Sequence, residues 1–104
     1  MHVLITSRHG DIPLDLKARA EVVVARLAAR AHRPTSARVT FDSTRPVASA
    51  EIVLNAARDT VLVARADAAD HRTALDRVAA KLRRQLMKRD HRPPRRSPRK
   101  AVSR

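Results

Sequence analysis

The sequence predicts an α+β fold: a two-layer sandwich of order β-α-β-β-β-α, with a four-stranded sheet and two helices on one face. Two observations predict it. Segments 13–31 and 71–89 repeat apolar residues at helical spacing. Segments 2–7, 37–44, 49–56 and 60–66 alternate side chains at the period of a strand. Two amphipathic helices need an apolar surface, and one face of a sheet supplies it.

The first strand, 2–7, places Val3 and Ile5 on one face and His2, Leu4 and Thr6 on the other. Gly10, the single glycine, follows in a loop. Pro13 stands where a first helical turn tolerates its missing N–H, and Asp15 suits the positive end of the helix dipole. Within 13–31, Leu16, Ala20, Val23, Leu27 and Ala31 form the expected buried stripe; Arg19, Arg26, Arg30 and Arg33 fall on another face. Arg33-Pro34 ends the helix.

Three strands follow. Ala37, Val39 and Phe41 alternate with Arg38, Thr40 and Asp42; Ala50, Ile52, Leu54 and Ala56 with Glu51, Val53 and Asn55; Leu62, Ala64 and Ala66 with Val61, Val63 and Arg65. Arg45-Pro46 marks one turn and Ala57-Arg58-Asp59, which lacks a glycine, the next. Such short runs predict hairpins and antiparallel pairing. Asp70 is the expected N-cap of the last helix, whose core stripe is Leu75, Val78, Leu82 and Leu86, with Ala79 beside it.

The chain has 104 residues, 23 basic against 10 acidic, for a net charge of +13. It contains no Cys, Trp or Tyr, and its single aromatic is Phe41. A disulfide framework and a thiolate zinc site are therefore excluded. No apolar run approaches the ~20 residues a membrane-spanning helix needs. The opening Met1-His2-Val3-Leu4-Ile5-Thr6 lacks the pattern of a secretory signal, so a cytoplasmic location is expected and no membrane partner. Residues 88–104 hold eight basic residues against Asp90, together with Pro93, Pro94 and Pro98. The expected organisation is a folded unit over 1–90 and a basic tail over 91–104, disordered in isolation.

The excess charge is patterned. Arg77, Lys81, Arg84 and Lys88 recur at spacings of 4, 3 and 4 on the last helix. At a rise of about 1.5 Å per residue they spread over roughly 16 Å. Arg83 and Arg89 form a second row, and no acidic residue interrupts 77–89 to supply i,i+4 partners. Arg26 and Arg30 add to this face if the two helices lie side by side, giving one continuous basic surface. Arg8 and His9 in the first loop are further candidates for RNA contact. A phosphate backbone fits such a surface, since Arg forks onto phosphate oxygens and Lys acts as a point charge. Near-absence of aromatics argues against base stacking, so readout would be of shape and phosphate.

Other chemistry is not expected. His2, His9, His32, His71 and His91 are scattered without metal-ligand spacing. Asp76 reads as a helix salt-bridge partner of Lys81 or Arg72. No glycine-rich phosphate loop or activated nucleophile exists, so no enzyme, cofactor, metal or small-molecule substrate is expected. Two readings share the charge: a general RNA- or DNA-binding module of nucleoid-associated type, and a subunit that meets an acidic protein.

The segment Val63-Ala64-Arg65-Ala66-Asp67, then Asp70-His71-Arg72-Thr73-Ala74-Leu75-Asp76, then Lys81-Leu82-Arg83-Arg84-Gln85-Leu86-Met87-Lys88 carries a likeness. It resembles the short ribosome hibernation promoting factors, the ribosome-associated inhibitor family once called sigma-54 modulation proteins. The family's corresponding pattern is Ala-x-Ala-Glu, Asp-x-x-x-Ala-Ile-Asp and Lys-Leu-x-Arg-Gln-Leu-x-Lys. Ile5-Thr6, Asp11-Ile12 and Leu16 fit its first strand and helix start, and the likeness covers about residues 1–90. Asp67 stands in place of the usual Glu, Ala68 where Gly is common, and His71-Arg72 where Met-Tyr is frequent. The resemblance implies a fold similar to double-stranded RNA-binding domains. It implies binding to the small ribosomal subunit and its 16S rRNA, within the intact 70S ribosome, in the messenger and transfer RNA channel. Translation would be silenced there under stress or in stationary phase. The family's long members carry a further domain that pairs ribosomes; at this length the short form is the expectation.

Overall fold

The computed structural model describes residues 1–44 and 46–91, with side chains as far as Lys88. Its elements are β1 (His2–Ser7), α1 (Leu14–Ala29), β2 (Ser36–Thr44), β3 (Val47–Ala56), β4 (Thr60–Ala68) and α2 (His71–His91). The order is the expected β-α-β-β-β-α, and the strands form one four-stranded sheet in chain order. Of the expected tail over 91–104, only His91, the last residue of α2, falls within the described residues.

β2, β3 and β4 pair antiparallel, with Val39 opposite Ile52 and Ile52 opposite Ala64. β1 pairs parallel to β2, with Val3 opposite Ala37 and Ile5 opposite Val39. The parallel pair follows from α1, because a helix between two strands makes a crossover that a tight turn cannot. β1, β2 and β4 thus point one way. Each helix starts where β1 or β4 ends, so α1 and α2 lie side by side in the same sense and touch.

Residues opposite one another in a ladder share a face. Val39, Phe41, Ile52, Leu54 and Ala64 therefore line one side, and all are buried. Leu16, Ala20, Val24 and Leu27 of α1 join the same cluster as Leu75, Val78, Leu82 and Leu86 of α2, which puts both helices on that face. The predicted α1 stripe is corrected at two positions. Val24 and Ala28 are buried, whereas Val23 and Ala31 are only partly so. Steps of four from Leu16 through Ala20, Val24 and Ala28 run along the sheet side; Val23 turns toward α2, and Ala31 lies beyond the helix end at Ala29.

Local chemistry fixes the element ends. Asp70 caps α2 as expected: its Oδ1 accepts from the Thr73 N–H at 2.7 Å and its Oδ2 from the Thr73 hydroxyl at 3.0 Å. Pro13 is the N-cap of α1 with no side-chain bond, and its carbonyl accepts the Lys17 N–H at 3.1 Å. The β3–β4 turn holds Arg58 and Asp59 at φ 62° and 57°, as a type I′ turn requires, without a glycine. Gly10 sits at φ 131°, a region open only to glycine, and the Ser7 hydroxyl donates to its carbonyl.

Candidate nucleic-acid interface

α2 carries cations on both flanks. On the flank over β4, Arg77 Nη1 donates to the Asp67 carbonyl at 2.9 Å, Lys81 Nζ to Arg65 at 2.8 Å and Gln85 Nε2 to Val63 at 2.9 Å. β4 is an edge strand, so these carbonyls point away from β3 and need partners. The register is a match of periods. Four residues of helix advance about 6 Å, and two residues of strand about 6.6–6.8 Å. Antiparallel to β4, the row 77, 81, 85 meets 67, 65, 63 one for one. The absence of acidic residues over 77–89 is explained here by main-chain carbonyls, which take the place of i,i+4 carboxylates. Lys keeps two further N–H donors and Arg four, so both side chains remain competent for phosphate. Arg84 and Lys88 continue this flank and are exposed.

On the other flank Arg83 faces α1. With Arg26 and Arg30 it rims a groove of about 680 Å³ between the helices, floored by Val23, Leu27 and Ala79. Ala80 also lines this groove, and Met87 is exposed. Arg26, Arg30 and Arg83 thus meet along the groove, while Arg77 and Lys81 lie on the β4 flank. Asp76 also lies on the groove side. Its Oδ1 accepts from Arg19 Nε at 3.2 Å and Nη2 at 2.9 Å. The expected pairing of Asp76 with Lys81 or Arg72 is corrected: Lys81 lies five residues on, off that face, and is held by the Arg65 carbonyl. Arg72 is one turn back, but Arg19 reaches Asp76 from α1 through two N–H donors.

Arg8 and His9 sit at the end of the sheet where both helices begin, away from Arg26, Arg30 and Lys88 at the helices' far ends. His9 Nδ1 lies 2.8 Å from Asp42 Oδ1. That bond, and then the Ser43 N–H, hold the Asp42 carboxyl below its ordinary value. His71 Nε2 donates to the Asp42 carbonyl at 2.9 Å, and its ring meets Phe41 edge-on at 5.6 Å. The structure thus separates Arg8 and His9 from the other candidates. The Arg89 side chain falls outside the described residues. Gln85 was missed by sequence reasoning, though it continues the row 77, 81. Arg19 was placed on the face of Arg26 and Arg30 but not counted among the site residues.

A family model described as "Sigma 54 modulation protein / S30EA ribosomal protein" matches residues 3–93. The chain belongs to that family. Among curated proteins, none matches. Among solved structures, the chain resembles a ribosomal subunit interface protein from Coxiella burnetii, with TM-score 0.77 and 19% identity, covering 88% of this chain and 100% of that one. It also resembles the N-terminal domain of Protein Y from Thermus thermophilus, with TM-score 0.73 and 23% identity, covering 85% and 98%. These likenesses are of fold. In this S30EA-family chain the segment that carries the sequence resemblance, 63–88, is the β4 edge together with the helix that seals it. Among the described residues no group of His, Asp or Glu is placed to hold a metal ion, and no helix is long and apolar enough to cross a membrane.

Proposed function

We propose that the chain binds the small ribosomal subunit through 16S rRNA phosphates and silences translation by occupying the messenger and transfer RNA channel under stress or in stationary phase. The observation that carries this reading is the pair of basic rows astride α2 in a chain of the S30EA family: Arg26, Arg30 and Arg83 along the groove, Arg84 and Lys88 on the β4 flank. Rigid helices hold these cations at fixed spacing, so phosphates are met without ordering a loop. Phe41, the single aromatic, is fully buried, which leaves no platform for base stacking and supports recognition of shape and phosphate. The likeness to a ribosomal subunit interface protein from Coxiella burnetii supports the same partner.

The reading involves no catalytic step, metal, cofactor or small-molecule substrate. It takes place in the cytoplasm, on single small subunits and on intact 70S ribosomes. Inhibition is steric: a protein lodged in the channel excludes messenger and transfer RNA. The folded unit supplies the rows, and the basic residues of 91–104 add phosphate contacts of their own.

The test compares binding to purified small subunits and to naked duplex DNA at physiological salt. Preference for the subunit, reduced by preloaded messenger and transfer RNA, is the expected result. Equal affinity for both would favour a general nucleic-acid-binding module.

A further inference from the structure

The groove between the helices is rimmed by four arginines, and Asp76 is the one acid among them. We infer that Asp76 is a selectivity residue: it withholds Arg19 from phosphate and confines an RNA backbone to the Arg26, Arg30 and Arg83 end of the groove. This rests on the RNA-binding reading above and adds to it where along the groove the polyanion is admitted.

The geometry is unequal. Both Nε and Nη2 of Arg19 go to one oxygen, Oδ1, at 3.2 and 2.9 Å. Among the described residues Oδ2 has no hydrogen bond, and Asp76 lines the groove. Arg19 keeps three N–H donors, but its charge is cancelled by the carboxylate, so this end of the groove attracts phosphate less than the Arg26, Arg30 and Arg83 end. A purely structural clip explains the pair poorly. Its side chains are 41% and 47% exposed, and exposed pairs contribute little to stability. Asp76 nevertheless lowers the positive field along its part of the groove, and a polyanion responds to that field. A chain of net charge +13 binds any nucleic acid to some degree. An acid set among the cations costs little affinity for a partner whose phosphates avoid that end, and more for a uniform duplex lying along the whole groove.

The test measures affinity for a random-sequence duplex RNA and for purified small subunits across salt concentrations, for wild type, Asp76→Asn, Arg19→Ala and the double variant. Asp76→Asn is isosteric and exposed, and an unchanged unfolding temperature confirms the fold. Asp76→Asn should tighten duplex binding about three- to tenfold and steepen its salt slope by roughly 0.7–0.9, one added phosphate contact. Small-subunit affinity should change less, so selectivity falls. Arg19→Ala alone should weaken duplex binding, and the double variant should return close to wild type, because it removes a neutral pair. Unchanged or weaker duplex binding by Asp76→Asn would overturn the inference. Failure of the wild type to bind small subunits would instead overturn the ribosome reading.

Discussion

Asp70 and Asp42 both hold their carboxyls below the ordinary value of 3.8. The Thr73 N–H and hydroxyl do this for Asp70; the His9 ring and then the Ser43 N–H do it for Asp42. A carboxylate whose folded pKa lies below its unfolded one stabilises fully above the unfolded value, and that stability is lost as pH falls through the folded value. Asp70→Ala should therefore lower the melting temperature at neutral pH, and the gap from wild type should close as the pH is taken below 3.8. Thermal unfolding followed across pH checks this; equal melting temperatures at neutral pH would remove the cap from the account. The cap was legible in the sequence because Asp before a periodic helix has one local use. The Arg58–Asp59 turn was legible only as a turn, since Arg58 does not advertise its φ of 62°. Left-handed backbone is costly for Arg and tolerated, less well than by glycine, by Asp. Arg58→Asn with Asp59→Gly should raise stability by about 1 kcal/mol, read by denaturant unfolding.

At the scale of elements, α2 does two jobs with two stripes. Leu75, Val78, Leu82 and Leu86 fill the core, and Arg77, Lys81 and Gln85 close the β4 edge. Replacing those three by Met keeps the stems and removes the donors. The bare carbonyl edge should then promote association of copies at high concentration. Light scattering reads the effect, and a variant that stays monomeric at concentrations where wild type does would deny the edge role. The core stripe was readable because periodicity lies within one element. The edge seal was not, because it joins residues ten to 22 positions apart in a register only the packed helix defines. Val23 and Val24 show the same limit: adjacent valines are equivalent to a periodicity argument until α2 decides which side of α1 it covers. The pairing of Asp76 with Arg19 depends likewise on two helices meeting.

For the whole molecule, the arrangement turns a +13 chain into a surface with direction. The parallel course of α1 and α2 brings Arg26 and Arg30 beside Arg83, while the β4 edge holds Arg77 and Lys81 on the opposite flank. Composition made a polyanionic partner legible, and the 63–88 segment made the family legible. The division of the basic residues into two rows needed the fold. Removing 92–104 should flatten the salt dependence of ribosome binding by roughly one unit of slope per lost phosphate contact, which titration at several salt concentrations reads. Central to the account is small-subunit binding through the two rows. Sucrose-gradient sedimentation with purified ribosomes tests it most directly, comparing wild type with Arg26→Glu/Arg30→Glu/Arg83→Glu and with Lys81→Glu/Arg84→Glu/Lys88→Glu. The account predicts that wild type travels with small subunits and 70S ribosomes, is released by high salt, and that each folded triple variant stays at the top. Wild type left at the top at physiological salt, or either folded variant sedimenting as wild type does, would contradict it.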